Sequence, residues 1–338
     1  MLLPAPRGPV STGLLDALRR SDPSALPVPR RADLSSDPLT DEDLQLALWV
    51  CFELHYRGFE DVDDVWEWQP DLIAVRGTLE AVLLDALRRD VHVRAGTAAV
   101  ADELRRLVDG DDGPQLSRYV QQRGTRGQFA EFVVHRSIYQ LKEADPHTWA
   151  IPRLVGRAKA ALIEVQIDEY GGGDPNRMHS ELYRATMRGL GLSDGYGAYL
   201  DAVPAITLAI SNVMSLFGLR RELRGALVGH LAAYEMTSSD PCRRYARGLR
   251  RLGADDATCE FYDAHVTADA LHEQLAAHDL CGGLAEAEPD LAVDILFGAA
   301  VCLYVDNRFA EHVLGRWASR RSSLRGGPLD VPALAHVS

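Results

Sequence analysis

The five cysteines of this 338-residue chain stand alone, with no CxxC pair among them. They are Cys51, Cys242, Cys259, Cys281 and Cys302. Zinc ribbons and iron–sulfur clusters need closely spaced cysteines, and secreted disulfide frameworks need an even set. The sequence therefore argues against these classes. It predicts free, mostly buried thiols in a reducing compartment, which we take to be the cytoplasm.

A basic excess is also missing, since 49 acidic residues outnumber 36 basic ones and the net charge is −13. Nucleic-acid binding needs a basic face, so we expect no nucleic-acid partner. The most apolar segment, 203–219, is short and polar for a membrane span, and the N-terminus has no long apolar signal segment. We therefore expect no membrane partner and an ordinary globular protein.

Strand signals are nearly absent, because no stretch alternates apolar and polar residues with β-branched enrichment. No repeat of 20–50 residues is visible either, which argues against a solenoid. From Thr40 onward, helix-start signals and apolar runs of helical length dominate. We predict helices near 41–54, 72–89, 98–108, 117–123, 126–145, 152–171, 175–190, 198–217, 219–236, 238–252, 258–280 and 289–319. The fold class predicted is all-α, a compact helical bundle.

Composition divides the chain into four regions. Six prolines within the first 29 residues predict an N-terminal tail over 1–37, ordered only where it docks on the body. Auxiliary helices are expected over 38–115, up to the turn-forming stretch DGDDGP at 109–114. The core bundle then spans 116–322, and a short C-terminal tail spans 323–338.

A glycine-rich break separates two of the predicted helices. Gly171 to Gly173 is typical of a helix C-terminus, and Asp174 with Pro175 is typical of the next N-cap and first helical residue. Glu169 should therefore lie at the end of one helix, and His179 in the first turns of the next.

One late helix carries a stripe of metal-capable side chains. His265, Asp269 and His272 stand at i, i+4 and i+7, so they fall at about 0°, 40° and −20° around the helix axis. Imidazole and carboxylate together suit iron, manganese or zinc. A solvated helix face explains the same pattern equally well. Taken singly, Glu143 and Glu169 are more simply explained as exposed carboxylates. His179 is more simply explained as an ordinary histidine of the core or the surface.

A ferritin-type di-iron site is a poor fit, because it needs two separate Glu-x-x-His motifs. The late helix supplies only a near-match, Asp269-x-x-His272, with no second copy to accompany it.

The order Glu143, Glu169, His179 and then His265-x-x-x-Asp269-x-x-His272 resembles the ligand pattern of the heme-oxygenase-like diiron oxidases and oxygenases. The phrases QLKEADPH at 140–147 and EMTS at 235–238 resemble the same family. The resemblance covers about residues 120–320 and implies a heme-oxygenase-like bundle with an N-terminal helical extension. It assigns all six residues as ligands of two Fe(II) ions, with O₂ as co-substrate.

The function implied is oxidative tailoring of a small amino acid or amine in specialised metabolism. The outcome would be N-oxygenation, desaturation, cyclisation or C–C cleavage, with an external electron donor and a homodimer as expected partners. A fatty-acid oxidative decarboxylase on the same site is the alternative. A non-catalytic helical small-molecule binding protein is the alternative of another class, but such a protein should have lost several of the six residues.

Several further residues have open roles. His147, one turn after Glu143, is an alternative ligand. Hydrogen-bond acceptors for the imidazoles could come from Asp263, Glu235 or Glu273. Five arginines between 243 and 251 predict a basic face, which either pairs with the acidic excess or binds a substrate carboxylate.

Overall fold

The computed structural model describes residues 1–20, 26, 29, 35–94, 96 and 98–329, apart from the side chains of 267–271. Within these residues the regular secondary structure is all helical, with no β-strand, which confirms the all-α prediction. The helices are α1 Pro9–Leu18, α2 Glu42–Glu53, α3 Pro70–Asp90, α4 Val100–Asp109, α5 Leu116–Gln122, α6 Arg126–Gln140, α7 Asp145–Thr148, α8 Gly156–Glu169, α9 His179–Gly189, α10 Ala205–Leu219, α11 Arg224–Arg251, α12 Asp256–Gln274, α13 Gly283–Ala287 and α14 Ala292–Ala318. A π-helix, Leu275–Gly282, joins α12 to α13.

Two long helices, α11 and α14, form the centre of the bundle and touch through their backbones. A Cβ atom added to Gly229 would overlap the carbonyl oxygen of Ile295, and one added to Gly298 would overlap that of Ala226. Glycine at both positions therefore allows a closer approach than any larger residue permits. Helix α12, which carries two candidate ligands, packs on α11, and α9 packs on α12 in turn.

The N-terminal helices are docked on the bundle. The Asp43 carboxylate of α2 accepts hydrogen bonds from the backbone N–H groups of Val10 and Ser11, at 2.8 and 2.7 Å, and so caps the start of α1. Leu14 and Leu15 of α1 are buried in the same apolar core that holds Leu324 near the C-terminal end. Nothing in the described residues tests the four regions drawn from composition, and they stay a prediction.

Several predicted helix boundaries are wrong, and the helix predicted from residue 198 begins only at Ala205. Helix α6 ends at Gln140, and 141–144 form a turn, because Pro146 lacks an N–H and its ring would clash with the Lys142 carbonyl group in a continuous helix. Helix α9 begins at His179, since Asp174 starts a separate turn instead of the helix. The segment predicted as two helices on either side of residue 237 is the single helix α11, which continues through Pro241. One proline removes one backbone hydrogen bond, and a helix packed on several sides tolerates that loss.

Among the described helices, none combines the length and the apolar character that crossing a bilayer requires.

Candidate metal centre

Five of the six predicted ligands converge inside the bundle, and the described side chains are all buried. Glu143 lies in the turn after α6, Glu169 is the last residue of α8, and His179 is the first residue of α9. His265 and His272 lie two turns apart on α12. The sixth, Asp269, is on the same helix, but its side chain lies outside the described residues, so its role stays a prediction.

Four of these residues form a first group, in which one donor atom from each lies within 4.8 Å of the others. His179 Nδ1 is 3.0 Å from Glu169 Oε2 and 3.9 Å from Glu143 Oε2. His265 Nε2 is 3.4 Å from Glu143 Oε1, and the two imidazole ring centroids are 4.3 Å apart. Two carboxylates and two imidazoles at this spacing can surround one metal ion.

A second group shares one member with the first. Glu169, Glu235 and His272 also place one donor atom each within 4.8 Å of the others. Glu235 Oε2 lies 3.4 Å from His272 Nδ1. Glu169 thus stands between two sets of donors, the position that a bridging carboxylate would take in a two-metal site.

Four polar atoms at the centre make no well-aligned hydrogen bond to a described residue, although Glu169 Oε2 and His179 Nδ1 lie 3.0 Å apart. These atoms are Glu143 Oε2, Glu169 Oε2, His179 Nδ1 and His272 Nδ1. Leaving a buried polar atom unsatisfied costs about 1–3 kcal/mol, and more when the group is charged. Four such atoms in one place are well explained by a cation that they bind, and the oxygen and nitrogen donors suit iron.

Hydrogen bonds outside the centre orient two of the imidazoles. His265 Nδ1 lies 2.7 Å from the Phe261 carbonyl oxygen, and His272 Nε2 lies 2.9 Å from Asp168 Oδ2. Each of these nitrogens donates its proton outward, because a carbonyl and a carboxylate oxygen only accept. The other ring nitrogen, Nε2 of His265 and Nδ1 of His272, therefore faces the centre with a lone pair available.

Charge within the centre shifts several pKa values. Burial raises the pKa of Glu143, and the neighbouring Glu169 carboxylate adds to the rise. Burial acts in the same direction on Glu169, but the imidazoles of His179, His265 and His272 outweigh it and lower its pKa to about 2. Burial lowers the pKa of His272, but Glu235 and Asp168 outweigh it and raise that pKa to about 9. The raised pKa of His272 means that, without a metal, a proton on this imidazole compensates part of the carboxylate charge, and a bound metal would replace that proton.

The loop between α8 and α9 brings Glu169 and His179 together. Gly171 has φ of +67°, and a Cβ atom there would lie 2.6 Å from the carbonyl carbon of Arg177. Only glycine fits this reversal, in which the chain returns from the end of α8 to the start of α9. The glycine-rich break therefore places a carboxylate and an imidazole side by side.

Sequence reasoning missed two members of the arrangement. Glu235 was considered mainly as an acceptor for an imidazole, with metal binding as a minor alternative, and its signal was a carboxylate in an otherwise apolar helix. Asp168, which holds His272, was not among the candidate residues. The other proposed acceptors lie at the surface, where Asp263 pairs with Arg250 and Glu273 pairs with Arg105. Of the described donors, His147 belongs to neither group.

A cavity of about 300 Å³ opens onto the centre. Its inner end is lined by Glu143, Glu169, Glu235 and His265. Much of its wall is aromatic, formed by Phe132, Tyr139, Tyr183, Tyr234, Tyr245 and Phe261. A volume of this size is at the lower end of small-molecule sites, so a compact organic ligand can reach the centre.

Comparisons with known proteins agree with this architecture. Nitrosourea synthase of Streptomyces achromogenes subsp. streptozoticus is 29% identical over 150 residues, which are 44% of this chain and 32% of that protein. The chain thus matches about a third of the length of this relative. A family model described as iron-containing redox enzyme matches residues 130–307, slightly more than half of the chain. With a helical fold and buried carboxylates and imidazoles in that segment, the chain belongs to the family of iron-containing redox enzymes, the heme-oxygenase-like family that its sequence resembles.

Proposed function

We propose that the chain is a non-heme diiron enzyme that uses O₂ for oxidative tailoring of a small molecule. The observation that carries this proposal is Glu169, whose carboxylate belongs to both groups of buried donors. A single-metal enzyme needs one such group, whereas two groups that share a carboxylate suit two ions held close together.

The proposed ligands divide between the two ions. Glu143, His179 and His265 would hold the first ion, Glu235 and His272 would hold the second, and Glu169 would contact both. Asp269 is carried over from the family resemblance as a further ligand. Together with Asp269, the carboxylates Glu143, Glu169 and Glu235 would balance the charge of two ferrous ions. A buried metal centre of low net charge avoids a large desolvation penalty.

Two ferrous ions, when bound, would supply electrons for the reduction of O₂. The side chains of the protein would position the ions and shape the cavity. The outward hydrogen bonds of His265 and His272 keep their inner nitrogens directed at the ions. The aromatic wall excludes bulk water from the inner end of the cavity and leaves room for a substrate beside it.

The substrate class we propose is an amino acid or amine of specialised metabolism. Similarity to nitrosourea synthase supports such a role, although it covers only part of both chains. The charged pair Arg136 and Asp306 in the cavity wall also favours a polar substrate, since an alkyl chain would desolvate both charges. For this reason we place fatty-acid decarboxylation second. Cytoplasmic location, an external electron donor and a homodimer remain part of the proposal.

Anaerobic titration with Fe(II), followed by exposure to O₂, tests the proposal. We expect two irons per chain and consumption of O₂ by the loaded protein. Glu169→Ala should impair both sites, whereas Glu143→Ala should impair one. Glu164→Ala, at an exposed position on the same helix as Glu169, is the matched control. Binding of a single iron by the unaltered protein, or no reaction of the loaded protein with O₂, would contradict the diiron proposal.

A further inference from the structure

The outer end of the cavity carries charges of both signs. Arg244 follows Glu235 by nine residues on α11, which places it about 13 Å along the helix from the metal end. Asp306 of α14 and Arg136 of α6 line the same cavity. A ligand that spans this distance would meet the candidate metal centre with one end and these charges with the other.

Asp306 presents an anionic group that its neighbours hold in place. Its Oδ1 accepts a hydrogen bond from Arg136 at 2.5 Å, and its side chain is 42% exposed. The Arg136 side chain is only 13% exposed, and its guanidinium lies over the rings of Phe309 and Phe132, at 4.7 and 5.7 Å. Arg136 is therefore a fixed support, and Asp306 is the more accessible member of the pair.

Arg244 presents a cationic group with weaker attachments. Its Nη1 donates to the Ser117 hydroxyl at 3.2 Å, and its Nη2 lies 3.6 Å from Asp240, a carboxylate that is 67% exposed. An exposed pair at this distance contributes little, so a ligand carboxylate can compete for the guanidinium. The flat donor edge of arginine matches a carboxylate well.

Two groups connect this outer end with the metal end. The Tyr245 ring lines the cavity between the two ends and lies 4.5 Å from the Phe132 ring. Gln140, one turn after Arg136 and three residues before Glu143, directs a buried amide oxygen that has no hydrogen-bond partner among the described residues. This oxygen can accept a hydrogen bond from a donor on the passing ligand.

We infer that the outer end of the cavity recognises the head group of an α-amino acid. Asp306 binds the ammonium group, Arg244 binds the carboxylate, and the side chain extends past Gln140 toward the metals. This inference rests on the proposed function only for what happens at the inner end. It assigns Asp306 and Arg244 as specificity-determining residues and predicts that a ligand with one charge binds poorly.

Binding to the metal-free protein tests the inference separately from any reaction with O₂. Calorimetric titration of the chelator-treated protein with the common L-amino acids should identify at least one long-chain amino acid that binds. Its decarboxylated amine and its deaminated acid should each bind about tenfold more weakly, or worse, because each loses one charge-assisted contact. Laurate, a fatty acid, should not compete.

Two variants locate the contacts. Asp306→Asn should weaken binding of the amino acid about tenfold and leave the affinity for the deaminated acid nearly unchanged, while Asp306→Glu should restore part of the loss. Arg244→Gln should show the converse pattern, with the decarboxylated amine unaffected. Asp290→Asn and Arg247→Gln, at exposed positions, are the matched controls. If Asp306→Asn lowers the melting temperature, Arg244→Gln still tests the inference in a protein whose fold is intact.

The outcomes separate the two proposals. Binding of an amino acid without iron-dependent consumption of O₂ would contradict the diiron proposal and leave this inference standing. Iron loading and consumption of O₂, with amines or laurate bound as tightly as any amino acid, would overturn the inference alone. Unchanged affinity in both Asp306→Asn and Arg244→Gln would overturn it as well.

Discussion

His272 depends on Asp168 of α8 for its orientation, through a contact of 2.9 Å between Nε2 and Oδ2. His265, by contrast, is held by the Phe261 carbonyl of its own helix, at 2.7 Å. One imidazole is therefore oriented within α12, and the other is oriented by a side chain from a second helix. Only the second contact can be removed by a substitution.

Asp168→Ala is expected to weaken metal binding at the proposed second site about 10- to 100-fold, because the His272 ring loses the acceptor that fixes its tautomer. Asp168 is about half exposed, so folding should change little. Equilibrium titration with Fe(II) or Zn(II) measures the affinity. Glu164→Ala, one turn earlier on α8, should leave it unchanged. Equal affinities for Asp168→Ala and the unaltered protein would contradict the role of Asp168.

Glu235→Ala should reduce the metal content from two ions to one per chain. Glu235 belongs only to the second donor group, so the first group stays complete. Elemental analysis after anaerobic loading and desalting gives the stoichiometry. Glu260→Ala, at an exposed position on α12, is the control. Two tightly bound ions in Glu235→Ala would show that Glu235 is not a ligand.

Glu53→Gln is expected to destabilise the fold by about 3–5 kcal/mol, since it leaves a buried ammonium unpaired. Lys142 Nζ donates to Glu53 Oε2 at 3.0 Å, and both side chains are almost fully buried. The free energy of unfolding in urea measures the loss. Glu286→Gln, in a surface pair with Arg157, should change almost nothing. If Glu53→Gln lowered the free energy of unfolding no more than the control does, this buried pair would not stabilise the fold as predicted.

Acid should destabilise the protein partly through His147. Burial lowers the pKa of His147 from 6.5 to about 4, so between these values the unfolded chain binds a proton that the folded chain does not. Stability therefore falls as the pH falls through this window, by about 3 kcal/mol in total. His147→Gln should flatten the dependence of unfolding free energy on pH, measured in metal-free protein. His278→Gln, at an exposed position, should keep the pH dependence of the unaltered protein. An unchanged slope in His147→Gln would refute the contribution of His147.

Much of the fold follows from local patterns, because apolar runs of helical length and the scarcity of strand signals already predict an all-α bundle. Helix boundaries were harder to predict where packing overrides a local sequence signal. Pro241 indicates a helix end, yet α11 continues through it. The π-helix Leu275–Gly282 carries no local pattern that distinguishes it from the end of α12.

The candidate centre was partly predictable for a similar reason. His265 and His272 lie on one stripe of one helix, so their spacing alone suggests a shared role. Glu235 and Asp168 come from other helices, and their approach to His272 depends on how α8 and α11 pack against α12. Sequence spacing within a helix carries no information of that kind.

The glycine contact between α11 and α14 has a consequence for how such a cavity changes in size. Gly229 and Gly298 fix a point where the two backbones meet, and Glu235 and Asp306, further along the same two helices, line the cavity. A small rotation about this pivot would widen or narrow the space between the helices and leave the pivot itself in place. We expect evolution to adapt the site to larger substrates by changing this angle more readily than by exchanging its buried ligands.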